Sequence, residues 1–305
     1  MLQGVGNISR FKKVIDRAKA FTIFIYGHTR TLDCMRHFTE GREIIRPGVT
    51  RFASAFLTLG SILEKKDQLK NMVISSRWES IRECQSKKGK NAYATIMHPN
   101  FWKDVKMCLN VFEPLVKVLR LVDGDVKPSV GYVYGELLKA KREIKEAFGN
   151  VEMNYKEVMA IVDKKMKNRL DSPLHVAAYM LNPYYSYNNP AIFSDSIVVE
   201  KFMQCVETFY YGEDGKEYRT VNEDLEKFQK RHGSFSKKMA RSCERFEFNP
   251  GKLLHHSVQI IFQQSILSRF FCNQFCTCLT HFTSFCSILV EALWRRSTRF
   301  AKNGY

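Results

Sequence analysis

Residues 100–125, NFWKDVKMCLNVFEPLVKVLRLVDGD, place apolar side chains at three- and four-residue intervals: Val105, Cys108, Leu109, Phe112, Leu115, Val116, Leu119 and Val122. That spacing is the 3.6-residue period of a helix burying one face, and it constrains the fold more than any other feature of the chain. Pro114 lies inside it and is predicted to kink the helix or start a second one, because proline removes one backbone donor. The same period runs through NISRFKKVIDRAKAFTIFIYGH, with Phe11, Val14, Ile15, Ala18 and Phe21 in register and Asn7 or Ser9 as the expected cap. After the breakers Pro47 and Gly48 it resumes with Phe52, Phe56, Leu59, Ile62 and Leu63, running into EKKDQLK, which reads as a solvated end. Val130, Tyr134, Leu137, Leu138, Ile144 and Phe148 predict another helix, stopped by Gly149, and Val158, Met159, Val162, Met166 and Leu170 one more. Pro173, Pro183 and Pro190 frame a short apolar helix and an aromatic, Asn-rich loop, and SIVVEKFMQCVETFY and TVNEDLEKFQKRHGSFSKKMARSC read as two further helices. Alternating strand patterns are lacking, apart from a short stretch near Glu43–Val49. The expected class is therefore mainly α.

Charge narrows the partners. The 305 residues carry 48 Lys+Arg against 31 Asp+Glu, a net +17 with a pI near 9.5. Such an excess favours polyanions, of which nucleic acid is the commonest. The opening MLQGVGNISRFKK lacks the apolar core of a signal peptide. Cys34, Cys84, Cys108, Cys205 and Cys243 are scattered without a disulfide framework, which points to a reducing compartment. The composition then breaks near residue 251. Residues 1–250 hold 42 basic and 30 acidic residues, residues 251–305 only 6 and 1, while four of the nine cysteines fall in the short tail.

Candidate chemistry is sparse. Asp123–Asp125 lacks the further oxygen ligands of a calcium loop and reads as a helix-ending turn. His175 reads as a core or boundary histidine, and Cys243–Glu244–Arg245 as a surface pair. Neither a phosphate-cradling glycine motif nor a nucleophile elbow nor H-E-x-x-H occurs. The basic runs KKGK (Lys87–Lys90), DKKMKNR and SKKMAR are solvated faces one by one, though together they would make a basic surface. In the tail, Cys272, Cys276, Cys278, His281 and Cys286 include enough thiolates for zinc, but no glycine or proline shapes the turns of a zinc knuckle. Phe270–Val290 carries no formal charge and is long enough to span a bilayer, although Asn273, Gln274 and His281 dilute its apolarity.

Three long stretches in order, REIIRPGVTRFASAFLTL, FWKDVKMCLNVFEPLVKVLRLVDGDVKPSVGYVYGELLKAKREI and SPLHVAAYMLNPYY, closely resemble plant proteins derived from hAT-superfamily transposases. The resemblance covers roughly residues 1–250. It implies a ribonuclease H-like α/β core interrupted by a large helical insertion, which the helices from Trp102 to Cys243 fit. The implied division is a partial core over 1–60, an insertion-type helical domain over 61–250, and a divergent Cys/Phe-rich tail over 251–305. The family's chemistry is two-metal phosphoryl transfer on DNA through an Asp-Asp-Glu set. None of the three maps onto this sequence. Both aspartates are expected upstream of its first residue, and the glutamate in a CERNWS-like motif after a WW stretch that follows NP. Here Phe248–Pro250 supplies FNP, but GKLLHHSVQIIF follows it, and Glu244 precedes it. The family's dimerisation segment falls in the same replaced region, and its N-terminal zinc finger is also unmatched. The tail after Gly251 is accordingly expected to derive from a frameshift or intron read-through. These features imply a nuclear, catalytically inactive, transposase-derived protein with no cofactor, binding DNA through its basic surface or binding a protein partner. Arg46 and Arg51, beside the Pro47–Gly48 breaker, are its candidate phosphate contacts. The alternative is a membrane-tethered helical protein anchored by residues 270–290.

Overall fold

A computed structural model describes residues 1–46, 52–123, 130–209, 216–238, 241 and 244–245. Its helices are α1 (Leu2–Gly6), α2 (Ser9–Gly27), α3 (Thr29–Phe38), α4 (Phe52–Glu64), α5 (Lys66–Val73), α6 (Ser76–Glu79) and α7 (Lys87–Met97). They continue with α8 (Pro99–Asp123), α9 (Val130–Ala147), α10 (Glu152–Met166), α11 (Pro173–Met180), α12 (Pro183–Ser186), α13 (Ser196–Phe209) and α14 (Lys216–Gln229). Short 3₁₀ turns occupy Arg82–Gln85, Pro190–Ser194 and Gly233–Ser236. The protein is mainly α, and no strand occurs among the described residues. Glu43–Arg46, part of the stretch read as strand, has no regular secondary structure, and residues 47–49 lie outside the described residues. The described part of residues 1–60, expected to hold a piece of an α/β core, is built of α1–α4.

The chain forms two compact units. The first comprises Met1–Leu119 and Leu137–Met166, the second Arg120–Glu136 and Lys167–Tyr305. Both α8 and α9 are thus divided between units along their lengths.

In the first unit α2 packs against α3, α4 and α7. Its predicted stripe is buried at Phe11, Val14, Ala18 and Phe21, and Phe24 and Ile25 extend it. Phe11 meets Phe112 of α8 edge to face, with ring centroids 6.1 Å apart. The buried residues of α8 include Val105, Cys108, Phe112, Leu115 and Val116, as the period requires, whereas Leu119 and Val122 are exposed. Burying each large apolar side chain contributes about 1.5–3 kcal/mol. The helix continues through Pro114, which is itself buried. Trp102 Nε1 donates to Ile96 O at 2.7 Å and so ties the start of α8 to α7.

Local readings need three corrections here. Neither Asn7 nor Ser9 caps α2; Ile8 occupies the cap position, and no side-chain bond is made there. EKKDQLK is not a solvated end, because α5 buries Leu69 and the preceding Lys65 is only 4% exposed. Lys65 Nζ reaches Ser61 O and Glu64 Oε2, each at 3.5 Å. Gly149 does stop α9, in left-handed backbone at φ +62°, with Asn150 N–H donating back to Lys145 O at 2.9 Å.

The second unit is organised by prolines and tyrosines. Each proline of the framed segment opens an element: Pro173 starts α11, Pro183 starts α12 and Pro190 starts a 3₁₀ turn. Proline suits a first helical position, where its missing N–H would have no partner. Helix α11 packs on α13, and Val176, Ala177 and Met180 of the one and Val198, Phe202 and Cys205 of the other are buried. Asn182 caps α12 by accepting from Tyr184 N–H at 3.1 Å, and its Nδ2 donates to Gly131 O at 2.9 Å. The Tyr185 hydroxyl lies 2.9 Å from Glu136 Oε1 and 3.2 Å from Tyr132 O. Burial, followed by the Glu136 carboxylate, holds that phenol far above the ordinary tyrosine range. A Cβ at Gly135 would lie 2.4 Å from Tyr185 Cζ, so only glycine admits the ring. Tyr187 donates to Phe228 O at 2.9 Å and carries the Arg231 guanidinium 4.4 Å above its ring.

Candidate nucleic-acid interface

The two units divide the charge unevenly. The first holds 28 Lys+Arg against 15 Asp+Glu; the second, through Pro250, holds 14 against 15. The positive excess of the described protein therefore belongs to the first unit.

Helix α2 supplies one part of that surface. With Phe11, Val14, Ala18 and Phe21 turned to the core, Lys12, Lys13, Arg17 and Lys19 are exposed. Lys13 and Arg17 are four residues apart, so two like charges share a face. Asp16 is the acid set among them and is also exposed. Among the described residues none of the four cations makes an ion pair.

The start of α7 supplies the second part. Ser86 caps it by accepting from Gly89 N–H at 3.2 Å. A Cβ at Gly89 would lie 2.2 Å from Cys84 O, so glycine alone lets this turn seat on the preceding 3₁₀ turn. Lys87, Lys88 and Lys90 stand exposed around that buried glycine. No acid lies in the first turn of α7, where the helix dipole is positive and cations are disfavoured. The last turn of α10 adds exposed Lys164 and Lys165 at a dipole end that favours them, while Asp163 pairs with Lys141 at 2.7 Å.

Two arginines are built into the framework instead. The Arg10 guanidinium lies 4.8 Å from the centroid of Phe11 and 4.6 Å from that of Phe148, and donates to Asn154 O at 2.5 Å. Arg46, a candidate phosphate contact, lies 5.1 Å over the ring of Tyr26. The Tyr26 hydroxyl is 2.5 Å from Glu43 Oε2 and 2.8 Å from Ile44 O, and Arg36 Nε donates to Glu43 Oε1 at 2.7 Å. Burial and the Glu43 carboxylate push Tyr26 up to about 12, and the phenol together with Arg36 draws Glu43 below the ordinary range. Arg51, the other candidate contact, lies outside the described residues.

The remaining sequence candidates are dispersed. Asp123 ends α8 in an exposed position, and Gly124 and Asp125 lie outside the described residues. His175 is held by Ser172, whose Oγ lies 2.7 Å from His175 Nδ1. Cys243 is outside the described residues, Glu244 Oε1 is 3.5 Å from Arg231 Nη1, and Arg245 is exposed. Lys237, Lys238 and Arg241 of SKKMAR are exposed on the second unit. Among the described residues no three His, Cys, Asp or Glu side chains gather as a metal site, and no helix is long and apolar enough to cross a membrane. The cysteine cluster Cys272–Cys286 and the segment 270–290 lie outside the described residues. The Arg10 clamp, the Lys65 burial and the Ser172–His175 pair carry no periodic signal in the sequence and emerge only from the fold. Compared with protein-family models, curated proteins and solved structures, the chain matches none.

Proposed function

We propose that this chain is a transposase-derived protein of the hAT kind that has lost catalysis and binds nucleic acid through its first unit. The observation that carries the reading is the segregation of charge: 28 basic residues against 15 acidic in the first unit, and 14 against 15 in the second up to Pro250. Exposed cations without ion pairs are free to replace the counterions condensed on phosphates, and release of those ions drives sequence-independent binding. The loss of catalysis rests on the resemblance and on one position, because GKLLHHSVQIIF follows Phe248–Pro250 where the family's glutamate motif is expected. The helices of residues 61–250 are the part of the chain that supports an insertion-type domain. The described part of residues 1–60 is helical and lends no support to a ribonuclease H-like remnant. The nucleus is the proposed compartment.

A salt titration tests the reading. Affinity of the full chain for a duplex of arbitrary sequence should fall linearly on a log–log plot, with a slope set by about 0.9 per phosphate contacted. Affinity that does not change with ionic strength, or no binding at low salt, sinks it.

A further inference from the structure

The second unit carries a serine hydroxyl that stands at a helix cap without capping it. Ser172 occupies the N-cap position of α11, with Pro173 at the first helical position. A serine there ordinarily accepts from a first-turn N–H. Ser172 makes no such bond, and its Oγ lies instead 2.7 Å from His175 Nδ1. The serine hydroxyl is therefore not accounted for by helix capping, whereas Pro173 is, as the first residue of α11.

Three further observations bear on it. Ser172–Pro173 is the sole Ser-Pro or Thr-Pro step in the sequence; the other seven prolines follow Arg, His, Glu, Lys or Asn. The stretch 167–172 between α10 and α11 consists of turns and bends, with Lys167, Asn168 and Arg169 exposed and Ser172 half-buried. Asp171, the adjacent carboxylate, is engaged on its own loop, accepting from Asn168 N–H at 2.6 Å. Ser172 itself is extended (φ −64°, ψ 157°) and Pro173 opens α11; a Ser-Pro step there, with turns and basic residues just upstream, is a segment that a proline-directed kinase can engage.

We infer that Ser172 is a phosphorylation site for a Ser-Pro-directed protein kinase, with His175 as the built-in partner of the phosphate. In the transfer, a bond forms between Ser172 Oγ and the γ-phosphorus of a nucleoside triphosphate. The bond from that phosphorus to the β,γ-bridging oxygen breaks, the diphosphate leaves, and the hydroxyl proton passes to the general base of the kinase. The product places a group of charge about −1.5 to −2 at the start of α11, where the unpaired N–H groups and the dipole favour an anion. Leu174 and His175 offer the backbone donors there, Pro173 having none. His175, held neutral by burial against the weaker pull of Asp171, acquires an anion at its Nδ1 and becomes easier to protonate.

The experiment uses the full chain with a magnesium nucleoside triphosphate and a Ser-Pro-directed kinase. Modified residues are located by tandem mass spectrometry on the unsubstituted protein, so the result does not depend on a variant folding. Ser172 is expected as the dominant site, with incorporation there lost in Pro173→Ala and in Ser172→Ala. The imidazole titration of His175, followed by NMR, is expected to move to higher pH after phosphorylation. Three results would each overturn the inference: phosphate accepted by a peptide of residues 165–178 but refused by the folded chain, incorporation unchanged in Ser172→Ala, or a His175 titration that does not move.

Discussion

The two units solve the problem of a unique helical core by different chemistry. The first leans on shape, with Phe11 against Phe112, Phe24 against Trp78 at 6.0 Å and a glycine at 89 that admits a backbone within contact distance, beside a few anchors such as Trp102 Nε1 on the carbonyl of Ile96. Its surface is left to carry repelling cations. The second relies on directed polar anchors: Tyr185 near Glu136 and the carbonyl of Tyr132, Tyr187 on the carbonyl of Phe228, Asn182 on the carbonyl of Gly131. Up to Pro250 its charge is balanced. Dispersion and burial specify position loosely and tolerate a charged exterior, whereas a buried hydroxyl without its partner costs about 1–3 kcal/mol and so fixes register. On the proposed reading, the first unit is the one that meets an outside polyanion.

The largest expected effect tests the shape argument. Gly89→Ala should destabilise the first unit by about 3 kcal/mol, because the backbone oxygen of Cys84 cannot retreat as a flexible side chain would. Gly60→Ala, inside α4 and with nothing within 4 Å of its Cβ, should instead stabilise by about 0.5–1 kcal/mol. Urea unfolding of both variants reads the opposite signs, and equal effects would break the distinction between close approach and mere helix propensity.

The next effect tests the charge contrast. Replacing Lys12, Lys13, Arg17 and Lys19 together by Gln should weaken duplex binding roughly tenfold or more near 0.1 M salt and flatten the salt slope by about 2–4. The matched replacement of Lys230, Lys237, Lys238 and Arg241 in the second unit should leave the slope within error. Equal losses from both sets, by anisotropy titration, would erase the division between the units.

The smallest effect belongs to His175. Burial lowers its folded-state pKa below the 6.5 of the unfolded side chain, so the unfolded chain binds the extra proton first on acidification. Stability from this group is complete above pH 6.5 and falls as the pH drops through that value, levelling once the folded histidine titrates as well. His175→Gln should remove that limb of the stability–pH curve. A variant that keeps the full acid dependence would assign it to other groups.

What could be read in advance follows from how local each cause is. The helices were legible wherever one face alone meets the core, as in α2 and α8, because burial then prints a 3.6-residue period on the sequence. Gly149 was legible because a left-handed stop depends on one residue. Lys65 was not: a lysine in a polar run reads as solvated, and its burial at the junction of α4 and α5 leaves no mark in the spacing. The tyrosine anchors were not legible either, since their acceptors lie 41 to 53 residues away and leave no trace in spacing. The division into units is equally silent, because α8 and α9 run without interruption across it. For the interface, the basic runs were visible singly and residues 1–119 already hold 21 Lys+Arg against 10 Asp+Glu; the rejoining of residues 137–166 adds 7 against 5.

That rejoining has a consequence for the order in which a ribosome can deliver a finished body. Arg10, near the beginning, is clasped by Phe148 and by the carbonyl of Asn154, 144 positions later. The first unit is therefore incomplete until residue 166 has left the exit tunnel, and residues 120–136 emerge before the rest of their own unit has been made. Domains generally fold as units during synthesis, the N-terminal one first. A stall anywhere between residues 120 and 166 therefore leaves two half-built cores rather than one whole and one unborn.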